Sequence, residues 1–241
     1  MMLNEIHSTS TKDYYDKAYS KYGFQAQRKY PNEELIRFFG RNFNHMDKAQ
    51  KSEIKFLELG CGAGANLWPL AAEGFDVHGI EISNEGVELA RAALENWGVE
   101  ATVTEGSMLG TSYPNSMFDV VADVFSSYCL DEVEFKSKFL PEVFRILKPD
   151  GFFFSYSPSK NSMAYINHAP ARKIDGSTIN GILRATSPYR CNNHKCRFIY
   201  PDEYRSILVD MGFRVVELEV VTRTYNQMTE LFEFVTIVAR R

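Results

Sequence analysis

Short apolar runs alternate with amphipathic segments through the middle of the chain. Between residues 55 and 157, five runs have the pattern of strands, namely KFLELG, FDVHGIEIS, VEATVTEGS, FDVVADVF and FFFSYS. The segments between them that read as helices are ANLWPLAAEG, NEGVELARAALENWG and residues 130–147. The first of these helices must start late, because it contains Pro69. Strands that alternate with helices predict a mainly parallel sheet with helices on both faces.

The end of the chain has a different pattern. PDEYRSILVDMGF predicts a helix closed by Gly212, and two long β-rich runs follow at residues 214–224 and 231–240. The loop around Asn226 that joins these runs is too short to hold a crossover helix. The two runs are therefore expected to pair antiparallel.

We interpret the 241 residues as one domain in four parts. Residues 1–45 are polar and tyrosine-rich at first, then contain a helix capped by Asn32, and are expected to form a cap or lid. Residues 54–158 hold the alternating core. Residues 159–199 lack sustained periodicity and read as an insertion that sets substrate specificity, and residues 200–241 supply the last helix and a β-hairpin.

Composition narrows the class of protein. Hydrophobic residues at 44% and charged residues at 24% are ordinary for a globular chain, and the formal charge of −4 favours no nucleic-acid partner. The N-terminus lacks a signal-peptide pattern, and no apolar run is long enough to span a bilayer. Four scattered cysteines do not form a disulfide framework. We expect a soluble, cytoplasmic protein without a membrane partner, either a monomer or a homodimer.

The stretch FLELGCGAGANL, residues 56–67, is a glycine-rich turn between a strand and a helix. By itself it also fits a dinucleotide site, since Gly60, Gly62 and Ala65 match G-x-G-x-x-A and Glu81 follows where an acid would bind a ribose. A carboxylate at Glu58, however, would repel a pyrophosphate and would suit a cationic ligand.

A second dehydrogenase-like feature is the pair Tyr156 and Lys160. Pro158 lies between them and the pair follows a strand, so the two side chains are not expected to share a helix face. We interpret the pair as coincidence. The antiparallel C-terminal pair also disfavours a dehydrogenase.

Taken together, these segments resemble the class I S-adenosylmethionine-dependent methyltransferases, in particular their small-molecule branch. FLELGCGAGANL resembles the first motif, GIEIS the acidic second strand, FDVVADVFSSYCL the fourth strand and ILKPDGFFFSYS the fifth. YPDEYRSILVDMGFRVVELE is similar to the closing helix and sixth strand. The resemblance covers residues 54–158 and 198–240. It implies a Rossmann-like, seven-stranded, mainly parallel α/β sheet with an antiparallel C-terminal strand.

The resemblance also implies a cofactor, S-adenosylmethionine, and its product S-adenosylhomocysteine. Glu58 would bind the amino-acid portion through water, Glu81 would accept both ribose hydroxyls, and Ile82 would pack on the adenine. Ser107 stands where the family commonly has Asp, and Asp123 fits a helix cap equally well. The implied cofactor residues are Glu58, Gly60, Cys61, Gly62, Gly64, Glu81, Ile82, Ser107, Met108, Asp123 and Val124.

No catalytic residue is assigned from the sequence. Transfer from a sulfonium needs mainly alignment and exclusion of water, and a general base only where the acceptor must lose a proton. For a hydroxyl acceptor His168 is the most available candidate, with Tyr156 or Asp123 behind it. The expected reaction is methyl transfer to an O or N atom of a small molecule. The alternatives are an NAD(P)-dependent oxidoreductase and a non-catalytic partner protein that binds the cofactor.

The insertion suggests what the acceptor is. It contains seven basic residues against Asp175, which favours an anionic acceptor or, with equal weight, a solvated basic loop. The substrate-binding candidates are Tyr14, Tyr19 and Arg28 in the lid, with Arg172 and Arg190 in the insertion.

The motif CNNHKC invites a metal interpretation through Cys191, His194 and Cys196. Structural zinc usually has four ligands, and the partner pairs of standard spacing are missing from the sequence. We therefore expect no metal.

Overall fold

A seven-stranded sheet forms the centre of the computed structural model, which describes residues 10–26, 28–181 and 194–241. Two further short strands make a separate hairpin. In chain order the strands are β1 Lys55–Leu59, β2 Asp76–Glu81, β3 Thr102–Glu105, β4 Phe118–Val124, β5 Leu147–Pro158, β6 Thr178–Asn180, β7 Lys195–Arg197, β8 Arg214–Tyr225 and β9 Glu230–Arg240.

The strand order in the sheet is β3-β2-β1-β4-β5-β9-β8. The first five of these strands are parallel, whereas β9 pairs antiparallel with both β5 and β8. This arrangement confirms the predicted sheet and the predicted antiparallel pairing of the last two runs. Parallel strands place their carboxyl ends at one edge, where ligands of such sheets bind.

Nine α-helical segments accompany the strands in the described part of the chain. Asn32 and Ser83 cap α2 and α5 as expected, each accepting from a backbone N–H of the first turn. The predicted helix over residues 130–147 is divided, with a π-helical turn at Phe135–Phe139. The helices are α1 Thr11–Tyr22, α2 Glu33–Phe43, α3 Lys48–Ser52, α4 Leu67–Glu73, α5 Asn84–Trp97, α6 Glu132–Glu134, α7 Leu140–Ile146, α8 Met163–Ile166 and α9 Pro201–Asp210.

The sheet buries apolar side chains on both faces. Phe56 of β1 points to a cluster with the aromatic face of α2, and its neighbour Leu57 points to the opposite cluster with α7 and α9. Alternation along a strand sends successive side chains to opposite faces, so both faces are covered by helices as predicted. The two clusters therefore anchor the strands whose ends carry the site.

The N-terminal helix α1 lies across the ends of β2 and β3. Lys12 Nζ donates to the carbonyl of Ile82 at 3.0 Å, and Ser83 Oγ donates to Asp16 at 2.6 Å. Tyr19 is buried beneath the helix, next to Gly86 of α5. These contacts place a tyrosine-rich helix over the edge of the sheet where ligands bind.

The insertion contributes the hairpin of β6 and β7, whose apolar side chains pack between two other parts of the chain. Ile179, Cys196 and Phe198 form a cluster that contacts Tyr14 of α1 and Tyr128 after β4. The ends of the insertion therefore contribute to the same edge of the sheet. No helix among the described residues has both the length and the apolar character that a membrane crossing needs.

Candidate functional site

A cavity of 650 Å³ opens at the carboxyl ends of β1, β2, β3 and β4, beneath α1. Its walls come from the loop after each of these strands and from the inner face of α1. A volume of this size is typical of pockets that hold a cofactor-sized ligand. The cavity lies where the topology of a parallel sheet predicts a binding site.

The glycine turn after β1 forms one wall of the cavity. Gly60, Gly62 and Gly64 have φ of +69°, +54° and +78°, in the left-handed region that other residues rarely adopt. A Cβ on Gly60 would stand 2.4 Å from Cβ of Ser126, so the backbone of the turn lies directly against the side chain of Ser126 in the loop after β4. Gly60 and Cys61 line the cavity, whereas Gly64 packs against Ala90 of α5.

Glu81 ends β2 and lines the cavity with a carboxylate that is 5% exposed. Its Oε2 accepts from the N–H of Gly62 at 2.9 Å, and its Oε1 accepts from the N–H of Ser83 at 2.9 Å. Burial raises the pKa of this carboxyl above its usual value, and the two N–H donors oppose that effect. Each oxygen keeps a further lone pair for a ligand, because an ionised carboxylate accepts about four hydrogen bonds.

Glu58 lines the same cavity from the end of β1 and is 2% exposed. Its Oε1 accepts from Nδ2 of Asn66 at 2.5 Å, while its Oε2 has no hydrogen-bond partner among the described residues. Burial raises the pKa of Glu58 to about 8. An orphaned carboxylate oxygen in a cavity indicates a place for a donor, and a cation satisfies it best.

The loops after β2, β3 and β4 supply the remaining wall on this side. Ile82, Ser107, Met108 and Val124 all line the cavity, at the positions that the motifs indicate. Ser107 Oγ accepts from the N–H of Leu109 at 3.2 Å, so this hydroxyl is partly used within its own loop. The apolar side chains among them provide surfaces against which a planar base can pack.

Asp123 does not line the cavity, which corrects the expectation that it contacts a cofactor or acts as a base. It is fully buried, and its Oδ1 accepts from Ser126 and from the N–H of Ser127. Its Oδ2 accepts from the hydroxyls of Ser127 and Ser155. These contacts commit both oxygens, so the capping alternative describes Asp123 better.

The other two candidates for a base also lie elsewhere. Tyr156 is buried between Phe125 and Phe234, and burial raises its pKa far above the physiological range. His168 and Arg172 line a separate cavity of 160 Å³ beside α8. Neither Tyr156 nor His168 is among the residues that line the main cavity, so neither is placed to act there.

Of the substrate-binding candidates that the structure describes, the three in the lid line the main cavity and Arg172 of the insertion does not. Tyr14, Tyr19 and Arg28 line the main cavity. Arg172 instead donates to the carbonyl of Asn180 at 2.9 Å, and Arg190 lies outside the described residues.

The described basic residues of the insertion are largely matched by acids or rings. Lys160 pairs with Glu203 at 2.7 Å, and Lys195 pairs with Asp131 at 2.9 Å and with Glu134 at 2.6 Å. Arg197 is buried, with its guanidinium 3.5 Å from the ring centre of Phe135. Internal pairing of this kind supports the alternative in which the basic bias balances acids within the protein.

An aromatic cluster at the cavity was not predicted from the sequence. Tyr15 and Tyr128 line the cavity beside Tyr14, and their hydroxyls approach to 3.3 Å. The ring of His194 packs against Tyr14 with centres 4.8 Å apart. Tyr15 belonged to the tyrosine-rich N-terminus and Tyr128 to the loop after a parallel strand, and these two signals in combination point to both residues.

The motif CNNHKC shows no metal arrangement in its described part. Cys191 lies outside the described residues, and Cys196 is buried with its thiol near the carbonyl of His194, at 3.5 Å. Burial lowers the pKa of His194 to about 4, which keeps the imidazole neutral. Among the residues described, no group of three His, Cys, Asp or Glu is placed to hold a metal ion.

The raised pKa of Glu58 predicts a measurable effect on stability. Its pKa is about 8 in the folded protein and 4.5 when unperturbed, so folding retains a proton between these values and this contribution to stability is lost as the pH rises through 8. We expect Glu58→Gln to raise the free energy of unfolding at pH 9 by about 2 kcal/mol relative to the native protein, with little difference at pH 5. Urea unfolding at both pH values measures the difference in stability. The control is Glu88→Gln, on the exposed face of α5. Parallel pH dependence of Glu58→Gln and the native protein would contradict it.

Comparison with known proteins connects this site to a family. Residues 56–151 match a family model described as a methyltransferase domain. The chain is 26% identical over 168 residues to a ubiquinone biosynthesis O-methyltransferase of Rickettsia canadensis, covering 70% of this chain and 66% of that protein. It is 28% identical over 214 residues to an mRNA cap guanine-N(7) methyltransferase of Saccharomyces cerevisiae, covering 79% and 49% respectively. The chain thus spans about half to two thirds of the relatives it matches.

Solved structures share the fold at low sequence identity. A SAM-dependent methyltransferase of Methanosarcina mazei superposes with a TM-score of 0.67 at 21% identity, covering 88% of this chain and 98% of that one. The [4+2]-cyclase SpnF superposes with a TM-score of 0.57 at 16% identity, covering 80% and 79%. With its strand order, its glycine turn and the match of residues 56–151, the chain contains a methyltransferase domain, and its fold is that of the solved S-adenosylmethionine-dependent methyltransferases, as its motifs predict.

Proposed function

We propose that this protein transfers a methyl group from S-adenosylmethionine to an O or N atom of a small molecule, leaving S-adenosylhomocysteine. The observation that carries this proposal is the pair of buried carboxylates, Glu58 and Glu81, on either side of one glycine turn in one cavity. Two acids at such a turn match an ammonium group and a ribose, and they oppose a phosphate.

The residues present fit the cofactor. Glu81 would accept from the ribose hydroxyls, the free oxygen of Glu58 would accept from the ammonium group, and Ile82 with Met108 would hold the adenine. The cofactor supplies a methyl group that is already activated on a sulfonium. The role left to this chain is therefore to align the acceptor and to exclude water.

Helix α1 is the part of the chain that would exclude water. Its tyrosines, Tyr14, Tyr15 and Tyr19, line the cavity on the side of α1. Tyr128 faces them from the loop after β4. No residue is assigned as a base, because the three candidates from the sequence all lie outside the cavity lining.

The proposed acceptor is a small molecule. A cavity of 650 Å³ is enough for the cofactor and a modest acceptor together. An anionic acceptor draws less support than the sequence indicated, because Lys160, Lys195 and Arg197 are engaged within the protein. Among the described lining residues, Arg28 places its guanidinium 5.8 Å from the ring centre of Phe125, and burial lowers the pKa of this group while the charge of Glu58 raises it.

Related proteins have diverse acceptors by name, which leaves the class of acceptor open. The matches include an ajmaline N-methyltransferase of Rauvolfia serpentina besides the quinone-pathway and mRNA-cap enzymes. The alternative is a non-catalytic protein that binds the cofactor, and a structure described as a [4+2]-cyclase shows that this fold also occurs in a protein not named a methyltransferase. The absence of a nucleic-acid partner, the cytoplasmic location and the monomeric or dimeric state stay predictions.

Calorimetry separates the cofactor hypotheses. We expect S-adenosylhomocysteine to bind with a micromolar Kd, since it would fill both carboxylate positions, and NADH and NADPH to give no heat of binding at the same concentrations. Binding of NADH or NADPH in preference to S-adenosylhomocysteine would refute the proposal. A screen for S-adenosylhomocysteine release over phenols, hydroxy acids, nucleotide sugars and amines then tests turnover, and binding without any release would favour the non-catalytic alternative.

A further inference from the structure

Asn66 stands at the start of α4, yet its side chain does not cap that helix. Its backbone occupies the cap position with φ −89° and ψ −18°, and no hydrogen bond joins its side chain to the first turn. Asn is a preferred cap residue because its side-chain oxygen ordinarily accepts from an N–H of that turn. The amide of Asn66 is used elsewhere, and this departure from the local rule points to a different role.

The two ends of the amide contact two other segments. Asn66 Nδ2 donates to Glu58 Oε1 at 2.5 Å, and Asn66 Oδ1 accepts from the N–H of Asn32 at 2.7 Å. Because the N–H of Asn32 requires an acceptor, Oδ1 of Asn66 must face Asn32 and Nδ2 must face Glu58, which fixes the orientation of the amide. Asn32 is itself held as the cap of α2, through the N–H of Leu35 at 3.0 Å.

All three side chains are more than nine-tenths buried, at 6%, 4% and 2% exposure for Asn32, Asn66 and Glu58. The series of hydrogen bonds ends at Glu58, a residue that lines the cavity. Its Oε2 has no hydrogen-bond partner among the described residues. A buried carboxylate oxygen without a donor is costly, so this arrangement is expected to be completed by a ligand.

We propose that Asn66 is a positioning residue, which fixes the carboxylate of Glu58 so that its free oxygen accepts from the ammonium group of the ligand's amino-acid portion. The inference rests on the proposed function, since it presumes an S-adenosyl ligand. The resemblance already implies a contact of Glu58 with the amino-acid portion, and the inference adds Asn66 as the residue that orients Glu58 for it. The donor from Asn66 also favours the ionised form of Glu58, which is the form that attracts a cation.

A merely structural role predicts something different. If Asn66 only ties the glycine turn to α2 through Asn32, then a side chain that still accepts from Asn32 should suffice. Asn66→Asp keeps that acceptor at almost unchanged volume, but replaces the amide donor with a carboxyl group that shares a proton with Glu58 and makes Glu58 harder to ionise. Asn66→Leu loses both contacts. The two variants therefore separate positioning of Glu58 from attachment of α2.

The test is calorimetry on the full chain with two ligands. S-adenosylhomocysteine carries the ammonium group, and its des-amino analogue keeps the adenosine, the sulfur and the carboxylate without it. We expect Asn66→Asp and Asn66→Leu each to weaken S-adenosylhomocysteine about tenfold and the analogue less than twofold. Glu58→Gln should show the same selectivity, and adding Asn66→Leu to it should cause no further loss.

The pH profile gives a second readout. Arg28, Asp123 and Glu81 also act on the pKa of Glu58, and all three are unchanged in Asn66→Leu. Affinity for S-adenosylhomocysteine should therefore rise at a higher pH in Asn66→Leu than in the native protein, because Glu58 ionises less readily without the donor. Thermal melts confirm that each variant is folded. Equal weakening of both ligands, or native affinity in Asn66→Asp, would overturn the inference. Failure of the native protein to bind S-adenosylhomocysteine at all would instead refute the proposed function.

Discussion

Replacing Glu81 with alanine is expected to weaken S-adenosylhomocysteine binding by at least 100-fold. The carboxylate lies in the cavity with its oxygens oriented by the N–H groups of Gly62 and Ser83, and it would accept from two ribose hydroxyls. A hydrogen bond to a charged group contributes about 1.5–3 kcal/mol, so two of them account for roughly 3–6 kcal/mol of binding. Isothermal calorimetry measures the change directly.

The interpretation of this variant needs a control for folding. Glu81→Ala also leaves the N–H groups of Gly62 and Ser83 without their acceptor, which we expect to lower the free energy of unfolding by about 1–3 kcal/mol. Glu88→Ala, on the exposed side of α5, removes a carboxylate away from the cavity and should leave both quantities unchanged. Retention of S-adenosylhomocysteine affinity within threefold in a folded Glu81→Ala protein would remove the basis of the proposed function.

The residues that sequence reasoning located best are those fixed by local structure. Glu58, Glu81 and Ser107 each stand at or just after the end of a parallel strand, and all three line the cavity. Their positions follow from two facts visible in the sequence, namely where the apolar run stops and that parallel strands bring their carboxyl ends together. Such residues can be located from the sequence without knowledge of distant contacts.

Residues that depend on distant packing were located less well. The alternation of β5 assigns Tyr156 to one face of the sheet, and the structure fills that face with Phe234 and Phe125 from remote segments. His168 and Arg172 lie in an irregular segment whose path is set by packing against β9. No periodicity in residues 159–199 carries that information, so their distance from the main cavity was not predictable.

Asp123 shows how one local pattern supports two roles. A carboxylate at the end of a parallel strand suits both a ligand contact and a cap for the loop that follows. Here the loop contains Ser126 and Ser127, whose hydroxyls and N–H groups converge on Asp123. The two serines of FSSY favour the capping role, because they supply enough nearby donors to occupy both oxygens of the carboxylate.

The same loop connects the insertion to the cavity wall. Arg197 of β7 donates to Ser127 Oγ at 3.1 Å, and Ser127 in turn donates to Asp123. Tyr128, which lines the cavity, is the next residue in this loop. The strand β7 therefore shapes the cavity through the loop after β4, and the insertion contributes to the site by packing as well as by the side chains it places there.

The contact between the glycine turn and this loop leads to the second large expected effect. Gly60→Ala should lower the free energy of unfolding by about 3–5 kcal/mol and abolish measurable binding of S-adenosylhomocysteine. Alanine at a φ of +69° costs about 1–2 kcal/mol, and the added Cβ would meet Cβ of Ser126 at 2.4 Å. Relief of that overlap must move the glycine turn away from the loop after β4, and both of them line the cavity.

Gly98 provides a matched control for the strain alone. It ends α5 with a φ of +65°, close to that of Gly60, and a Cβ there would have no atom within 4 Å. Gly98→Ala should therefore cost only about 1–2 kcal/mol of stability and leave S-adenosylhomocysteine affinity unchanged. Urea unfolding and calorimetry on both variants compare the two positions. Similar stability losses in the two variants, with binding preserved in Gly60→Ala, would show that the close approach of the two loops is not needed for the site.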